Sequence, residues 1–304
     1  MATTVTVTSN YAGKEAGAII GQAFKEADTI TKGFVTVYPN VNFKLNLRKI
    51  ELTGGKRDYT CGHVPAGAIT LSEKVLEPKK FKDDFSVCKE DFRAQWSEES
   101  MGASAHNDNA PKDIMDAITV EKLAQTAEEL DDNIWNGDGT NAGEFDGFLK
   151  LWLADAEVID VDFAATITEA NVEAALKQAL AAVPVAIRRK TLKIGVSSNV
   201  AQAYNFWLIS KGISNGLGGD ANTNMIFGKY TIEEINGLPI DTVVIAEPKN
   251  LVFGTGLMAD YNEVKLVDED EIGLLTGLVR GTMVYNAGVN YYNGEEIVWA
   301  RPIA

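Results

Sequence analysis

The side chains best suited to metal or nucleophilic chemistry are few. The chain holds two cysteines, Cys61 and Cys88, and two histidines, His63 and His106. Together they can supply four soft ligands of the kind zinc takes. The Cys-x-His start is tighter than a Cys-x2-Cys knuckle and the remaining gaps are irregular, so the spacing favours two free thiols over a metal site. A Cys61–Cys88 disulfide would require the strands carrying them to lie side by side. A catalytic triad would have to use His63 or His106 as its base, and neither sits beside a Gly-x-Ser-x-Gly nucleophile signature. Gly254-Thr-Gly256-Leu-Met-Ala259 follows an apolar strand and fits a dinucleotide fingerprint on paper. That fingerprint needs a helix facing the pyrophosphate, whereas a strand pattern resumes at Glu263, which predicts a turn. The glycines of residues 212–219 lack the Gly-Lys-Ser/Thr ending of a phosphate loop. Asp138 and Asp146 flank a glycine-rich loop without the acid spacing of a calcium loop, and its Asn-Gly and Asp-Gly pairs signal turns. No catalytic residues, cofactor or metal are predicted, and the chain reads as a non-enzyme.

The elements carrying these residues follow from the apolar pattern. Residues 1–42 are small and polar, with a short helix pattern at 16–24 and an alternating stretch at 33–39 ended by a proline. From Asn42 to Leu52, Phe43, Leu45, Leu47, Ile50 and Leu52 alternate with polar residues, with a phase slip near Arg48. Gly54-Gly55 then signals a turn. A second extended stretch returns through Ile69 to Val87. Such a two-stranded excursion is marginal alone in water and must dock on something else, most simply a second copy. Residues 111–135 form the longest helix pattern, with Pro111 at a first helical position and Asp113 and Asp116 at the positive end of the dipole. Asn136-Gly-Asp-Gly139 stops it. At ~1.5 Å per residue the helix is about 38 Å long, a structural spine. From residue 165 helices and strands alternate. Thr168 and Ser198 are positioned to cap helices, Leu192–Val196, 240–245 and 251–253 read as strands, and the last 45 residues are strand-rich. The fold class is α+β.

With 304 residues, 45% of them hydrophobic, the chain can bury a large core and is not disordered. It has no membrane-spanning run and no signal peptide pattern. The net charge of −15 disfavours tight wrapping of nucleic acid. The charge is uneven. Residues 43–93 hold 11 Lys and Arg against 8 Asp and Glu, and residues 112–162 hold 3 against 14. Segments of opposite sign can attract between copies and steer assembly, or can be two solvated faces.

Local stretches fit one family. The predicted spine helix ends in Ile134-Trp-Asn-Gly-Asp-Gly-Thr140, followed by Phe145-Asp-Gly-Phe-Leu149. Ile235-Asn-Gly-Leu-Pro-Ile240 enters a strand, and Leu251-Val-Phe-Gly-Thr-Gly leads by Asp260 to an Arg280-containing strand. In this order, over essentially the whole chain, these stretches resemble the major capsid proteins of tailed bacteriophages with the Hong Kong 97 fold. The resemblance implies an N-terminal arm at 1–42 and an extended loop at 43–93 lying over an adjacent subunit. It implies a peripheral domain at 94–164 and 255–304 containing the spine, and an axial domain at 165–254. Arg48, Lys49, Gly54, Gly55, Lys56 and Arg57 are then expected at inter-subunit contacts. Glu128, Glu129, Asp131 and Asp132 on the spine are their acidic partner, and Asn215, Gly218, Gly219 and Asp220 form an axial tip loop.

The implied function is self-assembly into hexamers and pentamers of an icosahedral virion shell around double-stranded DNA, built in the host cytoplasm. The chain has no room for the family's cleavable scaffolding segment, so a separate scaffolding protein is expected, with a portal, decoration proteins and weak non-specific DNA contact; no membrane is involved. Lys56 is the candidate for the isopeptide lysine found in some members. The partner strand at 274–287 lacks a carboxylate, so no crosslink is expected. The rival readings are an encapsulin-like compartment shell and an α/β enzyme.

Overall fold

The computed structural model describes residues 28–41, 43–59, 61–62, 66–89, 112–212, 225–256, 265–270, 272–274 and 276–303. In chain order its elements are α1 (Asp28–Thr31), β1 (Thr36–Tyr38), β2 (Leu45–Thr53), β3 (Ala68–Leu76), β4 (Lys79–Cys88), α2 (Lys112–Asn136), α3 (Phe148–Ala154), β5 (Ile159–Asp162), α4 (Val172–Ala182), β6 (Lys193–Val196), α5 (Ser198–Ser210), β7 (Met225–Phe227), β8 (Tyr230–Glu234), β9 (Val243–Ala246), β10 (Leu251–Thr255), β11 (Lys265–Asp268), β12 (Leu278–Tyr291) and β13 (Val298–Arg301). The chain divides into two compact units. One takes Met1–Glu26, Lys80–Glu129 and Gly256–Asn286; the other takes Ala27–Lys79, Leu130–Thr255 and Ala287–Ala304.

The larger unit is built on a six-stranded sheet ordered β5-β13-β9-β6-β8-β7. Its central strand β9 is buried at every position, the pattern expected of a short apolar run covered on both faces. Helices α4 and α5 pack on the sheet through Val172, Leu176, Ala179, Val200 and Tyr204. A second core forms where α2 ends. Trp135 lies 5.4 Å from Phe148 and 5.9 Å from both Phe34 and Trp152, and Trp152 lies 6.1 Å from Trp299. The α2 boundaries match the sequence reading to within one residue at each end. The Gly-Asp-Gly stop works as expected: the Gly137 N–H returns to the Asn133 carbonyl, and the Gly147 N–H bonds Gly137 across the loop.

In the smaller unit, β11 runs antiparallel to β12 from Lys265 opposite Thr282 to Asp268 opposite Val279. The Phe85 ring of β4 fills the space over Gly281, where a Cβ has no room. Lys89 is fully buried at the end of β4, its ammonium 2.5 Å from Asp268 and 3.0 Å from Asp270.

Three local expectations change. Thr168 does not cap α4; the Asn171 side-chain Oδ1 accepts from the Thr168 N–H at 2.6 Å, and the helix starts at Val172. The residue before α5 is Ser197, not Ser198; its hydroxyl bonds the Asn199 side chain at 2.7 Å. Gly254 is not in a turn. It lies inside β10, opposite Gly288 of β12, and this glycine pair lets the chain at Leu76 and Pro78 cross the sheet. A Cβ on Gly254 would sit 2.6 Å from a Leu76 methyl, and one on Gly288 would sit 2.9 Å from the Pro78 Cα. Their smallness serves packing.

Candidate assembly surfaces

Strands β2 and β3 form a two-stranded antiparallel hairpin, in register from Leu45 opposite Leu76 to Thr53 opposite Ala68. Its base is anchored. Leu47 and Leu76 are buried with Val252, and Leu45, Tyr38 and Tyr292 pack around them. Lys74 adds a polar clamp: its ammonium is 2.7 Å from Asp155 and 3.6 Å from the centroid of the Tyr291 ring, whose hydroxyl also donates to Asp155 at 2.5 Å. Burial alone would raise the Asp155 pKa, but the bonds from Lys74, Tyr291 and the Glu157 N–H hold it down to about 2.

Beyond the base the hairpin is bare. Ile50 pairs across the strands with Leu71, and Leu52 pairs with Ile69. By strand alternation these four share one face. They are 64%, 73%, 74% and 70% exposed, respectively. The hairpin closes through Gly54, Gly55 and Gly67, all at positive φ, where a side chain would be strained.

The expected contact residues fall into distinct environments. Arg48 is exposed and opposite Glu73, and Gly54, Gly55, Lys56 and Arg57 are exposed at the hairpin end. Lys49 is only 15% exposed. Burial disfavours its ammonium, but Glu51, in direct contact, and Glu157, at 3.6 Å, raise its pKa. It is engaged within its own chain.

On the spine, Glu129 is exposed and accepts from Gln125, and Asp132 is exposed and accepts from Asn136, while Glu128 is half-buried. Asp131 requires correction as a surface partner. It is 2% exposed and accepts the Thr29 and Gly237 N–H groups, each at 3.1 Å. Burial raises its pKa against the Thr29 bonds, with the Asp28 charge adding to the rise. Its i,i+4 spacing from Trp135, on the apolar side of α2, was the signal in the sequence. The expected tip residues Asn215, Gly218, Gly219 and Asp220 lie outside the described residues, as do His63, His106 and the helix pattern at 16–24. Cys61 is exposed, Cys88 is half-buried, and both are free thiols. Among the described residues no His, Cys, Asp and Glu cluster could hold a metal, and no helix is long and apolar enough to cross a membrane.

No protein-family model and no curated relative matches the chain. Solved structures do. The capsid of a native GTA particle matches with a TM-score of 0.67 at 10% identity, over 97% of this chain and 96% of that one. The capsid of Myoviridae phage XM1 matches at 0.62 and 12%, over 95% and 97%. The procapsid of satellite phage P4, which includes a size determination protein, matches at 0.57 and 13%, over 91% and 89%. The chain thus has the mixed α+β fold of shell-forming capsid subunits. Within that class, it is the tailed-phage capsid fold that the chain shares along nearly its whole length.

Proposed function

We propose that this chain is the major capsid protein of a tailed phage: a non-enzymatic subunit that assembles with copies of itself, as hexamers and pentamers, into a shell around double-stranded DNA. The observation that carries this reading is the hairpin. It is anchored at its base and presents an apolar four-residue ladder to solvent at its outer half, on a chain with the capsid fold. A contiguous exposed apolar patch on a marginal two-stranded ribbon calls for a partner surface. A neighbouring subunit supplies one, and obligate subunit interfaces bury about 2,000–5,000 Å².

In this reading residues 1–42 are the arm, 43–93 the loop over a neighbour, 94–164 and 255–304 the peripheral domain, and 165–254 the axial domain with its tip at 215–220. Arg48, Lys56 and Arg57 contact the next subunit, with Glu128, Glu129 and Asp132 as the acidic counterpart. A separate scaffolding protein, a portal, decoration proteins and non-specific contact with DNA complete the partner set, with assembly in the host cytoplasm. A phage procapsid containing a size determination protein among the structural neighbours supports an assembly partner of that kind. An encapsulin-like compartment would enclose protein instead, and the phage and GTA capsids above favour the DNA shell.

Electron microscopy of the purified protein tests the proposal. Closed shells, rings or tubes are expected. A dilute monomer that forms none of these at any concentration or ionic strength would overturn it.

A further inference from the structure

The acidity of this chain has a gap. Residues 174–232 hold seven Lys and Arg against one Asp, in a chain of net charge −15. The structure gathers three of these cations at one end of the six-stranded sheet. A single 3-10 turn, Ile187–Arg189, precedes β6, and Lys229 precedes β8. β6 and β8 run parallel with Lys193 opposite Thr231, so both turns lie at the same end. The cations are held in place by backbone. The Arg188 Nε donates to the Val183 carbonyl at 3.0 Å and an Nη to Ala181 at 3.2 Å, which satisfies carbonyls left over at the C-terminus of α4. The Lys229 ammonium donates to the Arg188 carbonyl at 2.6 Å, and the Tyr230 hydroxyl donates to the same oxygen at 3.1 Å. Arg188, Arg189 and Lys229 are all exposed, and among the described residues no carboxylate pairs with any of them. Ion pairing begins just behind them, with Lys190 on Glu247 and Glu296 and Lys193 on Glu233.

We infer that this end of the sheet is where the subunit touches the sugar-phosphate backbone of double-stranded DNA. This deepens the reading of the shell's contents and rests on it. Three unneutralised cations held close together repel one another, and a polyanion relieves that repulsion. Guanidinium groups suit phosphate oxygens, and anchoring on carbonyls lowers the ordering cost of binding. The surroundings favour nucleic acid over an acidic protein segment. Protein interfaces have an apolar or aromatic centre, whereas DNA interfaces are polar and positive. Within these two turns Val185 is the one exposed large hydrophobic. Three cations on an acidic chain bind weakly, so the contact gains strength from many copies facing one duplex. It carries no base readout and leaves the DNA free to slide.

The test titrates the full-length protein onto a fluorescent duplex between 20 and 200 mM salt, followed by anisotropy. Arg189→Gln/Lys229→Gln keeps a donor at position 229 and removes two charges. It should weaken binding at least tenfold at low salt and flatten the slope of log K against log salt by about 2. Lys56→Gln/Lys80→Gln, which removes two exposed charges elsewhere, should change the slope far less. Equal effects from the two variants, or a wild-type protein that does not bind the duplex at 20 mM salt, overturn the inference. An acidic peptide of matched charge that displaces the duplex at equal or lower concentration assigns the patch to a protein partner and also overturns it. A second readout concerns location. In a Cys61→Ser/Cys88→Ser background, Arg189→Cys should resist a bulky, shell-impermeant maleimide in intact shells and react once they are dissociated. Labelling of intact shells places the patch outside and overturns the inference, leaving the capsid reading standing. Wild-type protein that forms no shells removes the capsid reading, and this inference with it.

Discussion

Two carboxylates with opposite pKa shifts show how single residues hold this chain together. Asp155 is held at about 2 by Lys74 and Tyr291. Because its folded pKa is depressed, its contribution is present above the ordinary carboxylate value of about 4 and is lost as pH falls toward 2. The urea midpoint of the unassembled subunit should therefore decline over that window, and Lys74→Met should remove most of the decline. Asp131 behaves oppositely. Burial raises its folded pKa, so its contribution is complete below about pH 4 and diminishes as pH rises through the folded value. Asp131→Ala leaves two buried N–H groups, of Thr29 and Gly237, without an acceptor, at a cost of about 2–4 kcal/mol. A change in chemical-denaturation stability below 1 kcal/mol would show that those donors find water or another partner.

At the scale of elements, the sequence carried the long-period signals well. The α2 helix, the β2–β3 hairpin and the closing strands follow from spacing and turn residues, because each buries a regular stripe. The misses share a cause. Thr168, Gly254 and Asp131 are decided by what lies across from them: an Asn171 side chain, a crossing Leu76–Pro78 segment, and two N–H groups more than 100 residues away in the chain. A single sequence does not show such partners. The assembly surface was legible only as a surplus of apolar residues on a ribbon, and the structure adds which half is anchored and which is bare. The glycine pair gives a graded check. Gly288→Ala meets Pro78 backbone, which cannot move without the chain, and should cost about 1–3 kcal/mol. Gly254→Ala meets a Leu76 methyl that can rotate aside, and should cost less. Equal losses would mean that the Leu76 side chain is as immobile as the Pro78 backbone.

At the scale of the whole molecule, a subunit of net charge −15 must overcome self-repulsion to pack beside identical copies. The hairpin end offers a remedy, since Lys56 and Arg57 are exposed on a segment that is locally basic. Of the four spine acids expected to receive them, Asp131 is buried, and Glu129 and Asp132 are exposed. Surface pairs of this kind set encounter rate and register more than final stability, and they are screened beyond a Debye length of about 10 Å at 0.1 M salt. Lys56→Glu/Arg57→Glu should therefore slow shell formation at least tenfold at low salt, with a smaller penalty at 0.5 M, while the folded subunit keeps its melting temperature. Combining it with Glu129→Lys/Asp132→Lys restores opposite signs across the contact and should recover most of the rate, as followed by light scattering. Recovery distinguishes a direct contact from a general charge effect, because the quadruple variant has the wild-type net charge and only the pairing is inverted. If the spine variant restores nothing, the hairpin's basic end meets a different surface of the neighbouring subunit.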